Sequence, residues 1–133
     1  MTAPLGEFDL IARYFTRPLR RAVLGVGDDC ALLPAPAADE QLAISSDMLV
    51  EGRHFFAGAD PEALGHKTLA VNLSDLAAVG AKPLAFTLAL ALPQAEADWL
   101  ASFARGLFAL ADRHDIELVR SEEHTSELQS PNT

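Results

Sequence analysis

Residues 84–92 carry the pattern that most restricts how this chain can fold. Large apolar residues alternate with small ones along the segment. The large residues are Leu84, Phe86, Leu88, Leu90 and Leu92, and the small ones are Ala85, Thr87, Ala89 and Ala91. Successive side chains of a strand point to opposite faces, so this period of two predicts a β-strand with one large apolar face and one small face. A helix or another sheet is expected to lie close against the small face.

Helical segments are predicted on both sides of this strand. Asp60, Pro61 and Glu62 form a strong helix start, because Asp can cap the helix, Pro suits its first position and Glu favours the positive end of its dipole. This helix is expected to run to Val79, with Gly80 as its C-terminal stop. Apolar residues at helical spacing predict a second helix over residues 94–113.

Shorter elements complete the chain. An amphipathic helix is predicted around residues 8–15, followed by short strands over 23–26 and 30–33, a strand that leads into Ser45, and a last strand that begins at 116–119. Strands and helices in this order predict an α+β fold. We expect a mixed β-sheet with helices packed on one face.

Composition and charge exclude several classes of protein. The chain has 133 residues and a formal net charge of −9, and it lacks the clustered Lys and Arg that bind nucleic acid. No apolar run suits a membrane span and no export signal is visible, so we expect a cytoplasmic protein without a membrane partner. Cys30 is the sole cysteine, which excludes an internal disulfide and a cysteine-based zinc cluster.

Oxygen-bearing side chains lie at the ends of predicted elements. Ser45, Ser46 and Asp47 form a hard-oxygen set of the kind that Mg²⁺ prefers. A polar turn at a strand end is the alternative for this stretch. Asp28 and Asp29 lie at a glycine turn between two short apolar runs, where an Asx-rich turn is the alternative.

A further carboxylate, Asp75, lies on the predicted helix 61–79 and shares a polar stripe with Thr68 and Asn72. Residues 69–81 are apolar on nearly every side of this helix, which predicts burial. A buried carboxylate must be neutral, ion-paired or metal-bound, because desolvating an unpaired charge costs several kcal/mol. Alternatively, Asp75 is a helix-end residue that bonds to backbone amides.

These carboxylates together favour a divalent metal site. Several carboxylates within a few ångströms repel one another, and bound cations relieve that repulsion. The chain has no Gly-x-x-x-x-Gly-Lys-[Ser/Thr] loop, so a polyphosphate would be held through bridging metal ions. The sequence therefore predicts a site for metal-assisted phosphoryl transfer.

Four blocks of sequence lie at residues 6–15, 25–33, 44–55 and 70–81, and the second contains Gly-Asp-Asp and the third Ser-Ser-Asp-Met-Leu-Val-Glu-Gly-Arg-His. Together they resemble the thiamine-monophosphate kinase family, part of the aminoimidazole ribonucleotide synthetase-like superfamily. A single Gly-Asp-Asp is weak, but four blocks in the family's order are specific. The resemblance implies that residues 1–119 form an N-terminal domain that binds ATP and Mg²⁺ and pairs into a homodimer through an intersubunit β-barrel.

The resemblance also implies residue roles and a reaction. It implies a substrate contact at His54 and Mg²⁺ ligands at Asp29, Ser45, Ser46, Asp47 and Asp75, with Asp28 assisting from beside them. From the residues alone, His54 would be a partly buried structural histidine. The implied enzyme transfers the γ-phosphoryl group of ATP to thiamine monophosphate and forms thiamine diphosphate. Metal charge, rather than a covalent enzyme intermediate, is expected to assist the transfer.

Residues 120–133 differ in composition from what precedes them. They lack alanine, and 120–130 resemble a translated sequencing adapter. We expect a non-native tail that interrupts the last strand after Val119. The family continues at this point with a Gly-Gly-Asp-Thr-Thr motif and a C-terminal domain, and this chain has neither. The chain is therefore expected to be a truncated fragment that is inactive by itself.

Two other functions remain open from the sequence. One is another ATP-dependent enzyme of the same superfamily, such as a selenophosphate synthetase or a hydrogenase-maturation factor. Selenophosphate synthetases normally carry a reactive Cys or selenocysteine near a Lys in an N-terminal glycine-rich segment, and this N-terminus has neither. The other is an inactive fragment that serves only as a dimerisation module.

Overall fold

The computed structural model describes residues 13–25, 30–92 and 96–125. Helix α1 (Pro61–Ala78) leads to strand β1 (Ala85–Leu92), and helix α2 (Ala97–Arg113) then leads to strand β2 (Glu117–Thr125). The two strands pair in parallel, and α2 forms the crossover that parallel neighbours require. The α+β class is confirmed, with a parallel strand pair as the sheet in the described ranges.

Local capping chemistry sets the ends of α1. The carboxylate of Asp60 accepts the backbone N–H groups of Glu62 and Ala63, at 3.3 and 3.4 Å. At the other end Gly80 adopts a φ of +71°, a conformation that glycine enters without a Cβ penalty. Its N–H bonds to the carbonyl oxygen of Ala77 at 3.0 Å and closes the last turn. The predicted helix is confirmed to within one residue.

Helices α1 and α2 approach each other at two glycines. A Cβ atom at Gly65 would overlap the carbonyl oxygen of Phe103, and one at Gly106 would overlap that of Glu62. Backbones can come this close only where the side chains are absent. An ion pair of 2.7 Å between Arg105 and Glu62 bridges the same contact at the surface. This close packing fixes α1 on α2.

The large face of β1 lies in the core and its small face does not. Leu88 and Leu90 are buried in one cluster with Phe103 and Leu107 of α2, whereas Thr87, Ala89 and Ala91 are exposed. The predicted strand is confirmed. The neighbour expected against the small face is not found among the described residues. Neither described helix is long and apolar enough to cross a membrane.

A buried carboxylate attaches the N-terminal segment to the start of β2. Glu117 is only 6% exposed and accepts hydrogen bonds from the backbone N–H groups of Arg20, Arg21 and Ala22. The guanidinium of Arg21 donates to the carbonyl oxygens of Leu84 and Asp115, both at 2.8 Å. Leu84 lies just before β1 and Asp115 just before β2, so Arg21 links the starts of both strands to the N-terminal segment.

The N-terminal half of the chain departs from the sequence prediction in part. The helix predicted around 8–15 lies largely outside the described residues. Leu24 and Leu32 form an antiparallel bridge, as expected for two short strands that meet across a turn. The strand predicted to lead into Ser45 is wrong, because residues 41–50 adopt no regular structure and Ile44 is 82% exposed. Apolar residues alone do not make a strand without a partner that pairs with its backbone.

The predicted interruption of the last strand at Val119 is also wrong. Strand β2 continues to Thr125 and pairs with the whole length of β1. Ladder hydrogen bonds use backbone groups, so a change of composition does not by itself end a strand. The register does shift here: Phe86 lies opposite Leu118 and Thr87 opposite Arg120, which leaves Val119 as a bulged residue.

Candidate functional site

The polar stripe on α1 faces Ser45, and its side chains are oriented by the helix itself. The hydroxyl of Thr68 donates to the carbonyl oxygen of Leu64 at 2.8 Å, and the amide nitrogen of Asn72 donates to the carbonyl oxygen of Thr68 at 3.2 Å. Because its nitrogen is committed to the helix backbone, the Oδ1 atom of Asn72 is turned to the site. The helix therefore presents oxygen atoms there.

Ser45 completes this cluster from the other side. Its Oγ atom lies 3.2 Å from Oδ2 of Asp75 and 3.5 Å from Oδ1 of Asn72. The single hydroxyl proton goes to the nearer and charged acceptor, which is Asp75. Three oxygens, from Ser45, Asn72 and Asp75, thus converge, although Ser45 lies 27 residues before Asn72 and 30 before Asp75 in the sequence. We call this group the oxygen cluster.

Asp75 is exposed, so the predicted burial of this carboxylate is wrong. The residues that follow it on the same helix end, such as Val79 at 71% exposure, are also open to water. An apolar helix is buried only where another element covers it, and the segment before α1 leaves this end of α1 open. An exposed carboxylate does not need an ion pair or a metal to offset desolvation. The case for Asp75 as a site residue therefore depends on its closeness to Ser45 and Asn72.

The other predicted ligands are not joined to the oxygen cluster by a hydrogen bond or ion pair among the described residues. Oδ1 of Asp47 accepts the backbone N–H of the next residue, Met48, at 2.8 Å, and Ser46 is exposed. Asp28 and Asp29 lie outside the described residues. In the described ranges, no group of three His, Cys, Asp or Glu side chains is placed to hold a metal ion.

His54 closes a tight turn that begins at Val50. The backbone N–H of His54 donates to the carbonyl oxygen of Val50 at 2.8 Å, and the N–H of Val50 donates to Nδ1 of His54, also at 2.8 Å. Gly52 has a φ of +86°, which allows the chain to reverse here. Residues 52–56, His54 among them, line a small cavity of about 120 Å³.

Two residues near these sites are not among the predicted ligands. Asn72 lies in the predicted polar stripe, but an amide in a helix gives no reason to count it with the carboxylates. The Nζ atom of Lys67 donates to the carbonyl oxygen of His54 at 2.8 Å and ties the turn to α1. A contact between two exposed residues thirteen apart leaves no pattern in the sequence, so no signal could have found Lys67.

A family model described as AIR synthase related protein, N-terminal domain, matches residues 27–132. The chain belongs to this family. The match includes both parts of the oxygen cluster and the turn that holds His54. It also runs past Val119 into the residues whose composition differs.

Curated relatives of this AIR synthase related domain are thiamine-monophosphate kinases. The chain is 53% identical over 118 residues to the Salmonella typhimurium protein of that name, and 53% identical over 117 residues to the one from Escherichia coli strain K12. Each alignment covers 86% of this chain and 36% of the relative. The resemblance to the kinase family is thus confirmed, and the chain spans about a third of its relatives' length.

Solved structures agree with these relatives. The crystal structure of thiamine-monophosphate kinase from Stenotrophomonas maltophilia K279a superimposes with a TM-score of 0.72 at 49% identity, over 87% of this chain and 36% of that one. The thiamine monophosphate kinase of Aquifex aeolicus gives a TM-score of 0.59 at 31% identity, over 68% of this chain and 34% of that one. The predicted superfamily fold is therefore confirmed.

Proposed function

We propose that this chain forms the N-terminal part of a kinase that uses ATP to phosphorylate thiamine monophosphate to thiamine diphosphate. The observation that carries the proposal is the 53% identity to thiamine-monophosphate kinases across 86% of the chain. Since the chain spans 36% of those relatives, the activity is assigned to the whole protein. The expectation that the chain alone is inactive stays a prediction.

The proposed reaction is a direct transfer. An oxygen of the thiamine monophosphate phosphate forms a bond to the γ-phosphorus of ATP, the bond from that phosphorus to the bridging oxygen of the β-phosphate breaks, and ADP leaves. Both reactants are anions, so catalysis depends on positioning and on compensating charge rather than on a covalent intermediate. The acidic site residues are consistent with this, because carboxylates can bind the cations that compensate the phosphate charge.

The oxygen cluster fits the hard ligands that Mg²⁺ prefers. Asp75 and Ser45 are proposed ligands, and Asn72 adds a third oxygen beside them at 3.5 Å from Ser45. Ser46, Asp47 and Asp29 are proposed from the resemblance alone. When bound, Mg²⁺ supplies the positive charge that lets two phosphates approach. Helix α1 holds Asn72 and Asp75 in fixed positions, and the hydroxyl of Ser45 orients the carboxylate of Asp75.

We also propose that the chain forms a homodimer. Three large apolar residues before α1 lie open to water, Ile44 at 82%, Met48 at 71% and Phe56 at 86% exposure. Apolar residues concentrated in one segment are typical of a surface that a partner covers. The same observation favours a second candidate function, in which the chain serves only as a dimerisation module. Nucleic acid is not a proposed partner, given the net charge of −9.

We further propose that residues 120–133 are foreign to the domain. Their change of composition coincides with the bulge at Val119. The hydroxyl of Ser121 is buried without a hydrogen-bond partner in the described part of the chain, an unfavourable arrangement for a native strand. Reading the genomic frame across Val119 tests this: a native gene that continues through Arg120 to Thr133 would refute the proposal.

A chimaera tests the proposed kinase function. The matching N-terminal region of the Escherichia coli relative is replaced by residues 1–119 of this chain, and thiamine diphosphate formation from ATP and thiamine monophosphate is measured. We expect activity that falls by at least about tenfold in the Asp75→Asn chimaera, since loss of a metal-site contact has effects of that order. Asp39→Asn, at an exposed turn, is the matched control. A chimaera that melts cooperatively but forms no thiamine diphosphate contradicts the proposal.

A further inference from the structure

The side-chain amide of Asn72 is held in one orientation by α1. Its nitrogen donates to the carbonyl oxygen of Thr68 at 3.2 Å. The reversed amide would place Oδ1 against that carbonyl, and two acceptor oxygens cannot hydrogen-bond to each other. Oδ1 therefore faces Ser45, whose Oγ atom lies 3.5 Å away. Because that distance is long for an O–H···O bond, Oδ1 is an acceptor with unused capacity.

Ser45 has two acceptors for one hydrogen among the described residues. Its hydroxyl carries a single hydrogen and two lone pairs. Asp75 is the nearer acceptor, at 3.2 Å, and its charge makes it the stronger one. Asn72 is the second acceptor within reach. Rotation of the hydroxyl about the Cβ–Oγ bond is enough to move the hydrogen from one to the other.

A cation at the oxygen cluster changes which acceptor is favoured. The cation and the Ser45 hydrogen are both positive, so they compete for the electron pairs of the Asp75 carboxylate. A hydroxyl that binds a cation uses a lone pair, and its hydrogen must point to another acceptor. Metal ligands are commonly oriented by hydrogen bonds to residues that do not touch the metal. Asn72 is placed to serve Ser45 in this way.

We propose that Asn72 is a positioning residue for Ser45. On Mg²⁺ binding, the Ser45 hydroxyl turns its hydrogen from Asp75 to Oδ1 of Asn72, so a lone pair of Ser45 and the whole carboxylate of Asp75 face the cation. This inference rests on the proposed Mg²⁺ site. An amide suits the role, because it accepts a hydrogen bond without charge and its bond to Thr68 keeps it from turning away.

NMR of the Asn72 side-chain amide, assigned by triple-resonance experiments, tests the turn of the hydroxyl. A hydrogen bond accepted at Oδ1 polarises the amide and strengthens its bond to Thr68. We expect saturating Mg²⁺ to shift the Asn72 NH₂ signals downfield in the unchanged chain and much less in Ser45→Ala, which has no hydroxyl. Equal shifts in the two proteins overturn the proposal, because Asn72 would then respond to the cation without Ser45.

Mg²⁺ titrations of a double-mutant cycle measure the coupling between the two residues. The cycle contains the unchanged chain, Asn72→Leu, Ser45→Ala and the double variant, and leucine has nearly the shape of asparagine without its acceptor. We expect Asn72→Leu to weaken Mg²⁺ affinity about tenfold in the unchanged chain. In the Ser45→Ala background the loss should be less than about twofold. Ala77→Leu puts the same side chain at an exposed position of α1 and is the matched control.

The outcomes separate this role from the Mg²⁺ site itself. An equal loss in both backgrounds overturns the positioning role, because Asn72 would then act without Ser45. Full affinity in Asn72→Leu, together with lost affinity in Asp75→Asn, overturns the role and leaves the site intact. A chain that binds no Mg²⁺ overturns both. If Asn72→Leu does not fold, the amide signals of the unchanged chain and Ser45→Ala decide, and the chimaera assay decides the kinase function separately.

Discussion

The carboxylate of Glu117 accepts the backbone N–H of Arg21 with both oxygens, at 2.9 and 3.3 Å. The N–H groups of Arg20 and Ala22 donate to the same carboxylate at 2.8 and 3.2 Å. Segment 20–22 therefore satisfies its backbone donors on a single side chain instead of a neighbouring strand. This contact attaches the N-terminal segment to the first residue of β2.

Replacing Glu117 with Gln should destabilise the chain. The amide keeps one acceptor but turns its NH₂ group towards backbone donors, so at least one buried N–H loses its partner. We expect the free energy of unfolding to fall by about 1–3 kcal/mol, measured by urea denaturation. Glu96→Gln changes an exposed carboxylate without a side-chain cap bond, and it should have little effect. Equal midpoints for the two variants would show that the attachment is not stabilising.

The same carboxylate makes stability depend on pH in acid. Burial by itself raises the pKa of Glu117, but the backbone N–H groups of Arg21, Ala22 and Arg20 outweigh it and hold the pKa below the ordinary 4.5. The stabilisation is fully present above pH 4.5 and is lost as the pH falls through the lowered folded-state pKa. Glu117→Gln should therefore flatten the decline of unfolding free energy below that pH, and parallel curves for both proteins would contradict this.

Gly106→Ala should destabilise the contact between the helices. Alanine favours a helix over glycine by about 1 kcal/mol, but the new Cβ would overlap the carbonyl oxygen of Glu62. We expect overpacking to dominate, with a net loss of about 1–3 kcal/mol in unfolding free energy. Gly58→Ala has no atom within 4 Å of the new Cβ and is the matched control. A rise in melting temperature for Gly106→Ala would place the helices farther apart than described.

Ala89→Glu tests whether the proposed homodimer uses the exposed small face of β1 rather than the exposed apolar residues before α1. Ala89 lies at the middle of the exposed small face of β1, where a large charged side chain should prevent close contact with a second copy. In sedimentation velocity we expect a discrete dimer for the unchanged chain and a monomer for Ala89→Glu. Ala109→Glu places the same charge on an exposed position of α2 and should remain dimeric. A dimer that survives Ala89→Glu excludes this face as the interface.

Sequence reasoning succeeded where structure is set by local chemistry. The ends of α1 follow from Asp60 and Gly80, whose cap bonds lie within a few residues of them. Strand β1 follows from its alternation, because one face is buried by α2. The continuation of β2 beyond Val119 was not predictable from composition, since backbone pairing with β1 is indifferent to most side chains.

The candidate site is partly predictable, because the spacing of residues along one helix is a local property of the sequence. The spacing on α1 placed Asp75 and Asn72 on one stripe, and the structure brings Ser45 to that stripe. Exposure was not predictable, because the apolar residues of a helix do not reveal whether another element covers them. The bond from Lys67 to His54 depends on how the turn rests against α1, and no periodic pattern records such a contact.

The oxygen cluster of Ser45, Asn72 and Asp75 is proposed to belong to a Mg²⁺ site. Titration calorimetry of this chain with Mg²⁺ measures that binding, with Asp75→Asn as the variant and Asp39→Asn as the control. We predict weak binding that persists in the control and falls by at least about tenfold in Asp75→Asn, because a carboxylate is the strongest hard ligand in the cluster. Equal binding heats for the unchanged chain and Asp75→Asn would contradict a Mg²⁺ site at the oxygen cluster.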